Sequence, residues 1–184
     1  MAPMDTTTDP LRHFGLSQMP HKLHRDAVAA LDIGSARVQV KVWSSQTNGG
    51  FSLIEYEIPA RTLVAPLHRH TWEDEFSFVL GGRMGAMLGD EVIHVDAGEL
   101  VFKPRRLWHT VWNPDDAPCR VLELISPGGF EHFFEERAAA LQRPEDRSAE
   151  TGELGARYGV QSDFASVSRL CAEHGLDSAA RRPR

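Results

Sequence analysis

From Ala36 to Ser126 the sequence is a succession of short segments in which apolar and polar residues alternate, and no helical period interrupts them. "ARVQVKVW" puts Val38, Val40 and Val42 on one face, the period-two signature of a half-buried strand. "FSLIEYEIP", "EFSFVL", "GRMGAML", "EVIHV", "LVFKP", "HTVWN" and "CRVLELIS" follow, separated by turn signals such as Gly89-Asp90, "DAG" and "PDDAP". A parallel sheet needs crossover connections of a dozen or more residues, usually helical. This stretch offers none, so the reading is all-β: an antiparallel sandwich or barrel.

Outside that run the character changes. Residues 1–34 carry Pro3, Pro10 and Pro20 with no sustained period, and read as an irregular N-terminal arm before a β-domain over 35–126. After it, "ISPGGFEHFFEERAAALQ" offers Ser126 and Pro127 as cap and first helical position. Phe130, Phe133, Phe134, Ala138 and Leu141 share one side, so an amphipathic helix over 127–142 is expected to pack on the β-domain. Residues 143–184 read as a mostly helical tail, with short helices around "LGARYGV" and "FASVSRLCAEHGL". That pair superficially resembles a helix-turn-helix, but its second helix offers one arginine against one glutamate.

The charge balance points the same way. With 26 acidic and 20 basic side chains the formal net charge is -6, which does not attract phosphate backbones, so no nucleic-acid partner is expected. No apolar run approaches a membrane span, and "MAPMDTTTDPLRHFGL" lacks the charged-then-apolar order of a signal peptide. The expected location is therefore cytoplasmic, with Cys119 and Cys171 reduced.

One stretch carries the chemistry. In "LHRHTWEDEFSFVLGG", His68 and His70 stand two apart, so on a strand both imidazoles project to the same face. Neutral imidazole is the commonest protein ligand for a transition metal, and two on one strand make half of a coordination shell. Glu75 follows after a connection long enough to reverse the chain and bring its carboxylate beside them. His109 opens a later strand after a proline-bearing turn and is the candidate fourth ligand.

With these residues in order the sequence resembles the cupin superfamily, specifically the single-domain monocupins. The pattern H-x-H-x4-E-x6-G is met by His68, His70, Glu75 and Gly82, and G-x5-P-x-G-x2-H-x3-N by Gly98, Pro104, His109 and Asn113. The likeness spans roughly Gln39 to Ser126. Two family glycines are replaced: Thr62 stands before the first motif, and Arg106 occupies the turn of the second, implying a strained or altered turn there. The resemblance implies an antiparallel jelly-roll β-barrel with a C-terminal helical extension. Inside it would sit one divalent transition metal (Fe, Mn, Ni, Co, Cu or Zn) on His68, His70, Glu75 and His109. Three imidazoles and one carboxylate leave coordination positions open, as a chemically competent site requires.

The helix and tail after a single barrel are similar to the layout of small bacterial quercetinase-like dioxygenases, in which the glutamate ligand is also general base. That role would fall on Glu75. A non-oxidative isomerase, cyclase or lyase on the same ligands, and a small-molecule-binding cupin without turnover, are the alternatives. Ser77 and Met84 are expected to line a mostly apolar pocket, and Trp72 and Trp108 to edge its mouth, which suits a small aromatic or enolisable substrate. Phe76 and Phe78 must point away from Glu75, so the helix or a second protomer should cover that outer face; a homodimer is expected. Phe164, Val167 and Leu170 suggest that the tail folds back and partly lids the mouth.

Overall fold

The computed structural model describes residue 22, residues 28–143 and residues 152–177. Its strands are β1 (Leu31–Asp32), β2 (Arg37–Val42), β3 (Ser52–Ile58), β4 (Leu67–His70), β5 (Asp74–Gly81), β6 (Arg83–Leu88), β7 (Glu91–Asp96), β8 (Leu100–Lys103), β9 (His109–Trp112), β10 (Cys119–Ser126) and β11 (Val160–Asp163). Among the described residues the α-helices are α1 (Glu131–Leu141), α2 (Glu153–Arg157) and α3 (Ser166–His174). They form two antiparallel sheets, ordered β1-β2-β3-β10-β5-β8 and β11-β4-β9-β6-β7. This is the jelly roll with a helical extension that the alternating segments imply.

Alternation builds the core directly. Along β10 every second residue is buried, and Val121 and Ile125 meet Ile54, Ile58 and Val79 of the same sheet across from Met84, Ala86 and Val111 of the other. Each such side chain contributes about 1.5–3 kcal/mol on leaving water. One glycine is dictated by packing: Gly85 lies opposite Trp112 in register, and a Cβ there would stand 2.2 Å from the indole Nε1. Trp112 is fully buried, and in a second cluster it meets Leu63, Leu170 and Leu176, with the His174 ring stacked on it at 4.3 Å.

Several boundaries differ from the sequence reading. The barrel begins before residue 35, because Leu31 and Asp32 pair with Val38 and Arg37 and Ile33 is buried in the core. The rest of the arm, apart from residue 22 and residues 28–30, lies outside the described residues. Ser126 ends β10 rather than capping a helix, and α1 starts at Glu131. The Glu131 carboxylate accepts the backbone N–H groups of Ser44 and Gly129, fixing the entry to the helix. In the tail, β11 separates the two short helices and pairs with β4, so they are not a helix-turn-helix and residues 152–177 are not simply helical. Such a pairing is hard to see in "VQSD", which carries one apolar residue.

Helix α1 packs against β1 and the core: Phe130 just before it and Phe134 within it are buried, and Phe134 meets Tyr56 edge-on at 5.9 Å. It does not cover the outer face of β5. There Phe76 pairs with Phe102, and Phe78 with Leu100, across the β5–β8 ladder, while Phe102 and Leu100 remain 47% and 58% exposed.

Candidate metal centre

Strand pairing brings the four candidate ligands together. His68 and His109 are cross-strand partners on β4 and β9, His70 lies two residues along β4, and Glu75 projects from β5 in the opposite sheet. Their donor atoms all lie within 4.8 Å of one another, so the group spans the interior between the sheets. His70, Glu75 and His109 are buried, and His68 is half-buried where the cavity begins.

The outer partners set the tautomers. His68 Nδ1 donates to the Pro66 carbonyl at 2.8 Å and His109 Nδ1 to the Leu107 carbonyl at 3.0 Å, since a carbonyl can only accept. His70 Nδ1 faces the Glu73 carboxylate at 3.3 Å. In each ring the Nε2 lone pair is thereby turned inward, as metal-binding histidines require. His109 Nε2 and Glu75 Oε2 then stand 3.0 Å apart without a directed hydrogen bond, both buried. Two lone pairs facing each other at that distance call for a cation between them, and ligands about 2.1 Å from one ion at right angles are about 3 Å apart. The donor set fits a divalent transition metal.

Electrostatics agree at His68, His109 and Glu75 and act in the opposite sense at His70. Burial, and then the neighbouring imidazoles, hold His68 neutral, and burial likewise lowers His109. Burial opposes protonation of His70, but Glu75 and Glu73 outweigh it and raise its pKa. Burial pushes the Glu75 carboxyl up, yet Lys103 and the His70 and His109 rings overcome this and hold it well below the usual carboxylate range. Lys103, Glu123 and Glu73 were not singled out in the sequence, although period two could have shown the first pair. In "LVFK" and "CRVLELIS" they fall on the inward positions beside Val101, Val121 and Ile125. Lys103 Nζ lies 2.9 Å from Glu75 Oε2 and 3.0 Å from Glu123 Oε1.

The pocket residues need correction. A cavity of about 930 Å³ opens beside His68 and Glu75, but Trp72, Ser77, Met84 and Trp108 are not among its lining residues. Trp72 is 51% exposed and lies over Gly159. Trp108 carries the Arg69 guanidinium at 4.9 Å, Met84 is core, and the Ser77 hydroxyl donates to Glu123. The wall is built instead by Tyr56, Leu63, Val111, Phe130, Phe133 and Phe134, with Val160, Ser162 and Val167 of the tail. Periodicity identifies which strand face turns inward, but not which end stays open once α1 and the tail are seated. The family-glycine positions are explained locally. Arg106 adopts φ 68, the left-handed conformation a glycine would take freely, while its N–H bonds the His70 carbonyl at 2.8 Å. Thr62 is buried, and its hydroxyl donates to the Ala60 carbonyl.

Comparison with known proteins reaches the same class. Residues 54–125 match the cupin domain family model, so that stretch of the chain is similar to a cupin domain. KdgF from Halomonas sp. superposes with a TM-score of 0.54 at 12% identity, over 62% of this chain and 99% of that one. An RmlC-like cupin from Shewanella frigidimarina gives 0.53 at 16%, over 62% and 97%. A conserved protein with a double-stranded β-helix domain from Klebsiella pneumoniae gives 0.51 at 15%, over 60% and 93%. At these identities the likeness is one of fold. No curated protein matches the sequence.

Proposed function

We propose that this cupin is a metal-dependent dioxygenase acting on a small, planar, enolisable aromatic substrate, with the metal held by His68, His70, Glu75 and His109. The observation that carries the reading is the cavity, whose aromatic wall of Tyr56, Phe130, Phe133 and Phe134 leads to His68 and Glu75. Flat apolar rings suit such walls through stacked and edge-on contacts, and an apolar lining keeps water from the reacting centre. When bound, a divalent transition metal would supply Lewis acidity toward a substrate oxygen and, if redox-active, electrons for reaction with dioxygen.

The chain's own groups do the rest. Glu75, kept ionised, is ready to accept the substrate's hydroxyl proton, and its low basicity means that the hydroxyl must itself be made acidic. Phe130 meets the His70 ring edge-on at 4.5 Å and so fixes the inner end of the binding wall. Burial, and then the charges of Glu123 and Glu75, hold the Tyr56 phenol protonated, as a hydrogen-bond donor to an anionic oxygen.

Oxygen uptake tests the reading directly. Flavonols and other enolisable aromatics should cause metal-dependent oxygen consumption, and Glu75→Gln should slow it by about 10²- to 10⁴-fold. Product formed without oxygen consumption would instead assign an isomerase, cyclase or lyase, and ligand-induced stabilisation with no product a binding protein.

A further inference from the structure

Lys103 is buried between two buried carboxylates, those of Glu75 and Glu123. Removing an ammonium group from water costs several kcal/mol unless its surroundings compensate, so its place needs a reason. Neither Lys103 nor Glu123 lines the cavity, so neither is placed to touch substrate. Both residues occupy defined register positions in the first sheet. Lys103 on β8 is the register partner of Glu75 on β5, and Glu123 on β10 is the register partner of Ser77 on β5. The Ser77 hydroxyl lies 3.0 and 2.8 Å from the two Glu123 oxygens, which completes a chain Ser77, Glu123, Lys103, Glu75 across three adjacent strands.

We propose that the buried Lys103–Glu123 pair is a positioning device for Glu75, holding Oε2, the oxygen that also faces His109 Nε2, so that the carboxylate offers a bound cation this one oxygen in a fixed orientation. This role rests on the metal-centre reading above. A carboxylate on a free side chain can swing or bind through both oxygens; one with an oxygen pinned by an ammonium has lost that freedom. With Glu123 ionised the pair carries no net charge, so in that form it orients Glu75 without changing the charge of the site. Groups that orient metal ligands from behind typically alter metal affinity about 10- to 100-fold when removed.

The test is cobalt(II) titration of the full chain, read by affinity and by the visible absorption of the bound ion, whose intensity reports coordination number. Lys103→Met/Glu123→Gln removes both charges together and retains most of the volume. The expected result is a folded variant that binds cobalt about 10- to 100-fold more weakly than the parent and with an altered spectrum. Glu75→Gln should also cost less affinity in that background than in the parent, because Glu75 is no longer held. A folded variant with the parent's affinity and spectrum overturns the proposal. If the double variant does not fold, Ser77→Ala, which frees Glu123 alone, should shift the same spectrum in the same direction; an unchanged spectrum is again decisive against it. Failure of the parent to bind cobalt would instead overturn the metal centre, and this role with it.

Discussion

Burial, together with the Glu75 charge and against the pull of Lys103, pushes the Glu123 carboxyl up to about 7, because two carboxylates compete for one ammonium. A carboxyl whose folded pKa lies above its unfolded value stabilises the fold fully below the unfolded value and loses that contribution as pH rises through the folded one. Metal-free protein should therefore lose thermal stability as pH rises from about 4.5 through about 7, and Glu123→Gln should flatten the decline. Equal slopes in parent and variant, measured by thermal unfolding, would remove Glu123 as the cause. Glu75 acts in the opposite sense: held well below its usual value, its contribution is lost as pH falls through the acid range. At this scale the clustering of His68, His70, Glu75 and His109 was legible from spacing, since they are brought within 4.8 Å of one another, where they could hold a metal ion. The pocket tryptophans were not. Trp72 and Trp108 neighbour ligands in sequence, but Trp72 is half-exposed and Trp108 is half-buried beneath the Arg69 guanidinium.

Among the elements, the tail does the least expected work. Strand β11 completes the hydrogen bonding of β4, the strand bearing His68 and His70, and Gly159 accepts both the N–H and the hydroxyl of Thr71. Helix α3 then lays Leu170 against Trp112, while backbone bonds join Asp177 to Arg61 and Leu63. Ending the chain after Leu141 should expose Trp112 and the β4 edge. Loss of Leu170 and Leu176 burial alone should destabilise by about 3–6 kcal/mol, at roughly 1.5–3 kcal/mol for each side chain. Because Val160, Ser162 and Val167 line the cavity, the same truncation should speed metal exchange. Parent-like exchange would contradict a covering role for the tail. The barrel strands could be read from the sequence because each carries its own alternation. Strand β11 is stabilised by the edge it joins rather than by a pattern of its own, and such pairing is a tertiary effect.

Across the whole molecule, one apolar surface lacks a partner within the described chain. Leu53, Leu124, Phe76 and Phe102 form one cross-strand row, and Leu122, Phe78 and Leu100 lie in the next. The short edge strand β8 borders this face. A second copy covering it would bury the Phe76–Phe102 stack, in which the rings are 4.7 Å apart. Sedimentation at micromolar concentration should give a dimer that Phe102→Asp dissociates; a monomeric parent would count against it. Among the described residues no helix is long and apolar enough to cross a membrane. The fold class was legible because alternation, turns and the absence of crossover helices agree over the whole barrel. Which end stayed open depended on where α1 and the tail came to rest.

The most direct test is the metal content of untagged protein by elemental mass spectrometry, for the parent and for His68→Ala and Glu75→Gln. The structure predicts close to one equivalent of a divalent transition metal in the parent, lost in His68→Ala and reduced in Glu75→Gln. A parent that holds no metal under any loading would contradict the metal centre, and with it the catalytic reading of the facing imidazoles and carboxylate.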